Sequence, residues 1–160
     1  MSLSSEACEK AMTTHSETVR LLVTHPSCTD AAVERLGELA EGGSAEVLSD
    51  LAAACYVRAQ KDDRPSDLLR SLHAAEKAVA AKEHLPAAHF NLALAQEALG
   101  FTSKALTSWK KTGRLDGSAW AREANSRAAA IERQTARAAL TWKLIKQRLP
   151  EAIAVGDART

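Results

Sequence analysis

The feature that most restricts this chain is an apolar rhythm at helical spacing that runs nearly its whole length, interrupted only by short polar or glycine-bearing gaps. Cys8, Met12, His15, Val19 and Leu22 form one stripe, which stops before Pro26. Thr29 can cap a second helix carrying Val33, Leu36, Leu39 and Ala40, and Gly42-Gly43 ends it. Ser44 opens a third with Leu48, Leu51, Ala52, Cys55 and Ala59 on one face, closed by the polar run 60–65. Ser66 can cap the next, with Leu68, Leu72, Ala75 and Val79 inward. Pro86 sits where a first-turn proline is tolerated, and 88–99 is apolar on more than one face, so this helix is expected to be the most buried. Gly100 breaks it, Thr102 restarts a helix through Ala105, Leu106, Trp109 and Leu115, and Asp116-Gly117-Ser118 reads as a turn. Trp120, Ala124, Ala128, Ile131, Thr135 and Ala138 then form a stripe without a breaker. Thr141 can cap a last helix with Trp142, Ile145 and Leu149, disturbed by Pro150, and 156–160 reads as a turn.

Composition agrees with an all-α chain. There are 33 alanines and 19 leucines but only ten valines and isoleucines together and six aromatics, too few β-branched residues for a sandwich or barrel. Alanine at repeated contact positions lets helix axes approach closely, and short helices joined by short loops can bury their stripes only against neighbours. Antiparallel helix pairs follow, either as a bundle or as a stacked solenoid. No segment reaches the ~20 consecutive apolar residues of a membrane span, and the first ten residues lack a signal pattern. Three cysteines, an odd and sparse number, fit a reducing compartment, and a cytoplasmic protein is expected. The formal net charge is only +1, but it is unevenly spread. Residues 1–103 carry 9 basic against 15 acidic groups, and 104–148 carry 11 against 3. Either the basic helices are simply solvated, or they form a docking surface for an acidic partner.

No phosphate-binding glycine loop, nucleophile elbow or zinc-ligand pair is visible, so catalysis, cofactor and metal are not expected. His25-Pro26-Ser27-Cys28 sets a histidine near a thiol, but with no orienting partner it reads as a polar loop with an incidental cysteine. Cys8 and His15, two turns apart, could share a metal, yet a buried thiol and a packed imidazole is the plainer account, and Cys55 reads the same way. His73, His84 and His89 share no spacing, and Asp62-Asp63 belongs to a charged loop. Trp109, Trp120 and Trp142 fall on helical stripes and are expected in the core. Among Arg122, Arg127, Arg133 and Arg137 they could instead offer a stacking platform to nucleic acid, a minor alternative.

Residues 86–100, with His89-Phe90-Asn91-Leu92-Ala93-Leu94, followed by Lys104-Ala105-Leu106, Trp109 and Leu115-Asp116, resemble a tetratricopeptide repeat (TPR). Leu92-Ala93 stand at the large/small pair of its first helix, Ala105 at the tight-packing position of the second, and Trp109 at the large aromatic one. The departures are His89, Gln96, Thr112 and Gly117, where the pattern has tryptophan, tyrosine, alanine and proline. A looser unit covers about 46–85, with Leu51-Ala52 as its pair, Ser71 at the small position, Ala75 and Ala78 in its second helix, and an inter-helix loop longer by about seven residues. A third, degenerate unit begins near Trp120. The longer string from Leu48 through Thr141-Trp142 also resembles the helical region preceding the caspase-like CHAT protease domain of large bacterial proteins. That resemblance implies a further domain downstream and transfers no catalytic residue here.

The resemblance implies a short, right-handed solenoid of antiparallel helix pairs: an N-terminal helical hairpin over 1–43, two TPR-like pairs over 44–117, and long C-terminal capping helices over 118–160. It also implies a concave groove lined by the first helix of each pair, where a peptide or partner domain binds. Transferred onto this sequence, the groove residues are Ser49, Ala53, Tyr56 and Val57 in the first unit and Ala87, Phe90, Asn91, Leu94, Glu97 and Ala98 in the second. Asn91 offers an amide to a peptide backbone, Tyr56 an aromatic body with a polar tip, and Glu97 a charge. An acidic chaperone-type tail is disfavoured, because only Asn91 suits it. The expectation is therefore a non-enzymatic scaffold or sensor module, with a purely structural spacer or self-association domain as the alternative, and with no membrane partner.

Overall fold

A computed structural model describes residues 3–115, 117 and 119–157; for 119, 151, 152 and 154–157 only the backbone is described. The described residues form eight α-helices and no strand: α1 (Ser5–Ala11), α2 (His15–Thr24), a 3-10 turn (Pro26–Cys28), α3 (Thr29–Leu39), α4 (Ala45–Asp62), α5 (Pro65–Ala81), α6 (Pro86–Ala98), α7 (Thr102–Leu115) and α8 (Ala119–Asp157). From α3 onward the connections are two to five residues long, so each helix folds back on the one before it. Each packs on its successor, and α4 also touches both α2 and α6.

Caps explain most boundaries. The Ser44 hydroxyl accepts from the Val47 amide at the head of α4, and Pro86 begins α6. Gly100, at φ 78°, takes the left-handed conformation that ends α6, and Gly42, at φ 83°, turns the chain after α3. Elsewhere the expected boundaries move. The first stripe is two helices, because Thr14 and Glu17 form a reciprocal capping box that restarts the chain at His15. Thr29 does not cap α3 with its side chain; its hydroxyl donates to the Pro26 carbonyl. Pro65 rather than Ser66 opens α5, following Asp63 in the left-handed region at φ 49°. Thr141 caps nothing, since its hydroxyl donates to the Arg137 carbonyl, and α8 continues through Pro150 as one helix. The turn expected at 116–118 has two of its three residues, 116 and 118, outside the described residues. Of the turn expected at 156–160, residues 156 and 157 belong to α8 and 158–160 lie outside the described residues.

The core is a row of three clusters. Cys8, Met12, Leu21, Cys28 and Ala32 form the first. Val33, Leu36, Leu51, Ala52, Cys55, Ala74, Ala75 and Leu92 belong to the second. Ala93, Ala105, Trp109, Ala124, Ala128 and Ile131 form the third. Leu92 and Ala93, adjacent in α6, face different clusters, so this apolar helix joins the second to the third. The thiol expected at Cys8 is corrected: Cys8 and Cys28 form a disulfide. Cys55 is fully buried, and burial pushes its thiol up to about 11, as for an inert packing residue.

Candidate functional site

Residues of α4, α6 and α8 line a cleft of about 380 Å³: Tyr56, Gln60, Leu94, Glu97, Ala98 and Arg127. Leu94 and Ala98, four residues apart, supply its apolar side, and Tyr56 and Gln60 do the equivalent on α4 with polar tips. Its charged end is fixed by the helices around it. Glu97 accepts from the Trp109 indole N–H at 2.8 Å and lies 3.5 Å from the Arg127 guanidinium. Arg127 in turn donates to Glu123 at 2.7 Å and lies over the Trp109 ring, 5.3 Å from its centre. Burial works against the Arg127 charge, but the Glu123 and Glu97 carboxylates outweigh it and hold the guanidinium above its usual range. Arg127 and Glu97 remain 37 % and 39 % exposed, open enough for a ligand's charged groups to reach both.

The other residues expected in the groove have different surroundings. Asn91 is buried, and its amide donates to both the carbonyl and the hydroxyl of Ser49 at 2.8 and 3.0 Å. Those bonds stitch α6 to α4, so neither residue presents its polar group to a peptide. A buried polar atom is costly unless paired, and here the two side chains answer each other. Phe90 packs edge-on against Trp109, with ring centres 5.0 Å apart, and 4.9 Å from Trp120. It is partly buried beneath α8 rather than offered to a ligand. Val57 is 46 % exposed, and Ala53 and Ala87 are half-buried; none of the three lines the cleft.

The remaining candidates also resolve into packing. Cys28 is half of a disulfide and presents no thiolate, and His25 shares a contact with the Thr24 hydroxyl. His15 meets Asp50 at 2.7 Å across α2 and α4, where burial raises the Asp50 carboxyl against the pull of His15. His89 contacts the Glu83 carbonyl at 2.8 Å and anchors the loop before α6. Of the three tryptophans expected in the core, Trp109 is wholly buried and gives no stacking platform to a base, whereas Trp120 and Trp142 are corrected: they are 45 % and 57 % exposed, Trp120 against Phe90 and Trp142 on the stretch of α8 beyond the packed body. Among the described residues no group of three or more His, Cys, Asp and Glu is placed to hold a metal ion, and no helix is long and apolar enough to cross a membrane.

A second cleft, about 430 Å³, lies between α1 and α3 among Glu9, Met12, Asp30, Glu34, Arg35 and Glu38. Its carboxylates are largely engaged with arginines. Arg35 meets Glu38 at 2.8 Å, and Arg58 lies 3.3 Å from Asp30 and 3.5 Å from Glu34. Sequence reasoning missed Gln60 and named Arg127 only in the nucleic-acid alternative, not beside Glu97. Gln60 stands one helical turn after Tyr56, and Arg127 three residues after the buried Ala124, and both spacings point to the same face. No family model, curated protein or solved structure matches the chain.

Proposed function

We propose that this chain is a TPR-like helical-repeat module that binds a peptide, without catalysis, in the cleft between α4, α6 and α8. The observation that carries the reading is the meeting of Tyr56, Leu94 and Glu97, chosen from the repeat frame, in one cleft with the half-open Arg127. Sequential packing of each helix on the next, with α4 touching α6, supports the stacked arrangement of α4–α5 and α6–α7 that such a groove needs. Arg127 would take a ligand carboxylate, Gln60 and Tyr56 its backbone amides, and Leu94 with Ala98 a small apolar side chain. The area is small, so affinity would be modest unless neighbouring domains add to it. This reading does not depend on the CHAT resemblance.

A test is selection from a random peptide library on the oxidised, full chain, with the Tyr56→Ala, Arg127→Ala double variant as the counter-selection. Peptides enriched on the wild type should bind it and lose at least about tenfold in affinity on the variant. Enrichment no better than on the variant would end the assignment. A cytoplasmic address rests on reduced cysteines. Counting thiols on denatured protein drawn from its native compartment decides it, with one reactive thiol if Cys8 and Cys28 are paired and three if they are not.

A further inference from the structure

The first helix, α1, owes little of its place to its own packing. It has seven residues, fewer than the ~12 that a helix needs to hold its shape alone, and only Cys8 among them is buried. The hydrogen bonds of its side chains stay within it: Ser5 donates to Glu9, Lys10 to Glu6, and the Ala7 amide to the Ser4 hydroxyl that caps the helix. It rests on α2, the 3-10 turn and α3, and what it inserts among them is Cys8, followed by Met12 just beyond its end. Burying two side chains yields less free energy than ordering the chain from Ser5 to Met12 costs, and the Cys8–Cys28 bond makes up the difference.

What lies beyond Met12 stands without α1. Thr14 and Glu17 cap α2 reciprocally, and the Thr13 carbonyl accepts from the Arg35 guanidinium at 3.3 Å, which pins the chain to α3 directly after the cap of α1. At the other end of the bond, the Cys28 amide donates to the His25 carbonyl, and the Pro26 carbonyl accepts both from the Thr29 hydroxyl and from Lys61 of α4. A hinge therefore falls between Met12 and Thr13, and the turn that carries Cys28 keeps its shape whether or not sulfur joins it to α1.

We propose that α1 is a redox-controlled strap, docked while Cys8 and Cys28 are joined and released when a dithiol reductant opens the bond. A thiolate of the reductant attacks one sulfur, forms a mixed disulfide and releases the other cysteine, which takes a proton. The reductant's second thiol then displaces the cysteine held in the mixed disulfide. The chain gains two electrons and two protons, and the dithiol leaves as a disulfide. Both cysteines are wholly buried, so attack waits for the short α1 to open locally. Cys55 takes no part, because it is buried in the second cluster with its thiol kept protonated. Release dismantles the 430 Å³ cleft, one wall of which is Ser5, Glu9 and Met12, and bares the Leu21 and Ala32 side of the first core cluster.

Hydrogen exchange and trypsin digestion of the full chain, oxidised and after reduction with dithiothreitol, test it. Reduction should speed exchange of the amides of 8–12 and cleavage after Lys10 at least about tenfold, while the amides of α4 to α7 keep their protection. Transfer to an oxidising glutathione buffer should restore both. Cys8→Ala with Cys28→Ala should behave as the reduced chain whether or not reductant is present, and protection in α4 to α7 reports that this variant is folded. Unchanged exchange at 8–12 with all three thiols reduced overturns the proposal, since α1 would then be held by packing. So does loss of protection throughout α4 to α7 on reduction, which would make the bond a support of the whole fold. A failure of oxidation to restore α1, or a double alanine variant that keeps α1 protected, overturns it equally. The peptide cleft shares no residue with the strap: Tyr56→Ala should leave release unchanged, so each reading can fail alone.

Discussion

The pairs α4–α5 and α6–α7 stand side by side, each two helices joined by two or three residues, yet what crosses between their helices differs. Between α4 and α5 the contact is ionic. Arg58 donates to both carboxylate oxygens of Asp67, at 2.7 and 2.8 Å, with both residues almost wholly buried, and Ser71 donates to the Ala52 carbonyl at 2.8 Å. Between α6 and α7 the contact is aromatic. Trp109 is fully buried, meets Phe90 edge-on, and spends its N–H on Glu97, while the Ser108 hydroxyl donates to Gln96. One plan of alanine-lined helices thus accepts two kinds of cross-tie. The ionic one specifies geometry at a desolvation cost, and the aromatic one adds apolar burial as well.

The aromatic tie should be the harder to lose. Trp109→Ala opens a large cavity in the third core cluster and strands Glu97 beside Arg127, at an expected cost of about 4 kcal/mol in chemical denaturation. A loss under about 1 kcal/mol would mean that α8 collapses into the space and that the aromatic tie is dispensable.

Asp67→Ala is expected to cost about 3 kcal/mol, because it leaves Arg58 buried without its bidentate partner. Replacing both, Arg58→Met with Asp67→Leu, should recover most of that loss, which no double replacement at Trp109 and Phe90 by alanine would do. Acid sharpens the contrast. Hydrogen bonds from Arg58 hold the Asp67 carboxyl below its usual range, against the effect of burial. A folded-state value below the unfolded one means that the stabilisation is complete above about pH 4 and is lost as the pH falls through the folded value. Glu46 is held at about 2 chiefly by Lys82, and Glu17 and Glu83 are held below their usual range by hydrogen bonds from Thr13 and from Lys111, so they too bear on stability in acid. The difference between wild type and Asp67→Ala in acid melts therefore isolates this pair: it should shrink as the pH falls below about 4, and a difference that stays constant would show that ionised Asp67 stabilises no more than its acid.

The two ties were not equally legible. Trp109 declares itself by a four-residue spacing from Ala105, and Leu51-Ala52 and Leu92-Ala93 by adjacency on apolar helices, because burial of apolar residues leaves a periodic trace. Arg58 and Asp67 flank a charged loop and pass for a solvated face. The trace was there in register only: Arg58 follows the inward Cys55 by three, and Asp67 precedes the inward Ser71 by four. Partnership between side chains has no such trace. Cys8 and Cys28 pair across two helices and a turn, although the odd count argued against any bridge. In the cleft, Tyr56, Leu94 and Glu97 followed from the repeat frame, whereas Arg127 was hidden among arginines spread around α8.

The smallest expected effect separates the tie between pairs from the cleft beside it. Asn91 and Tyr56 both stand on the first-helix face, and sequence alone gives them the same task. The structure commits the Asn91 amide to Ser49, buried between α4 and α6, and leaves Tyr56 half-exposed on the cleft wall. Asn91→Ala removes two hydrogen bonds and leaves the Ser49 hydroxyl buried without its donor, so it should cost about 1 to 2 kcal/mol. Tyr56→Ala should move stability by no more than about 0.5 kcal/mol, the size of a surface change, while weakening the selected peptide. Equal losses in the two melts would place Tyr56 in the tie between the pairs, and the cleft would then have to do its binding without it.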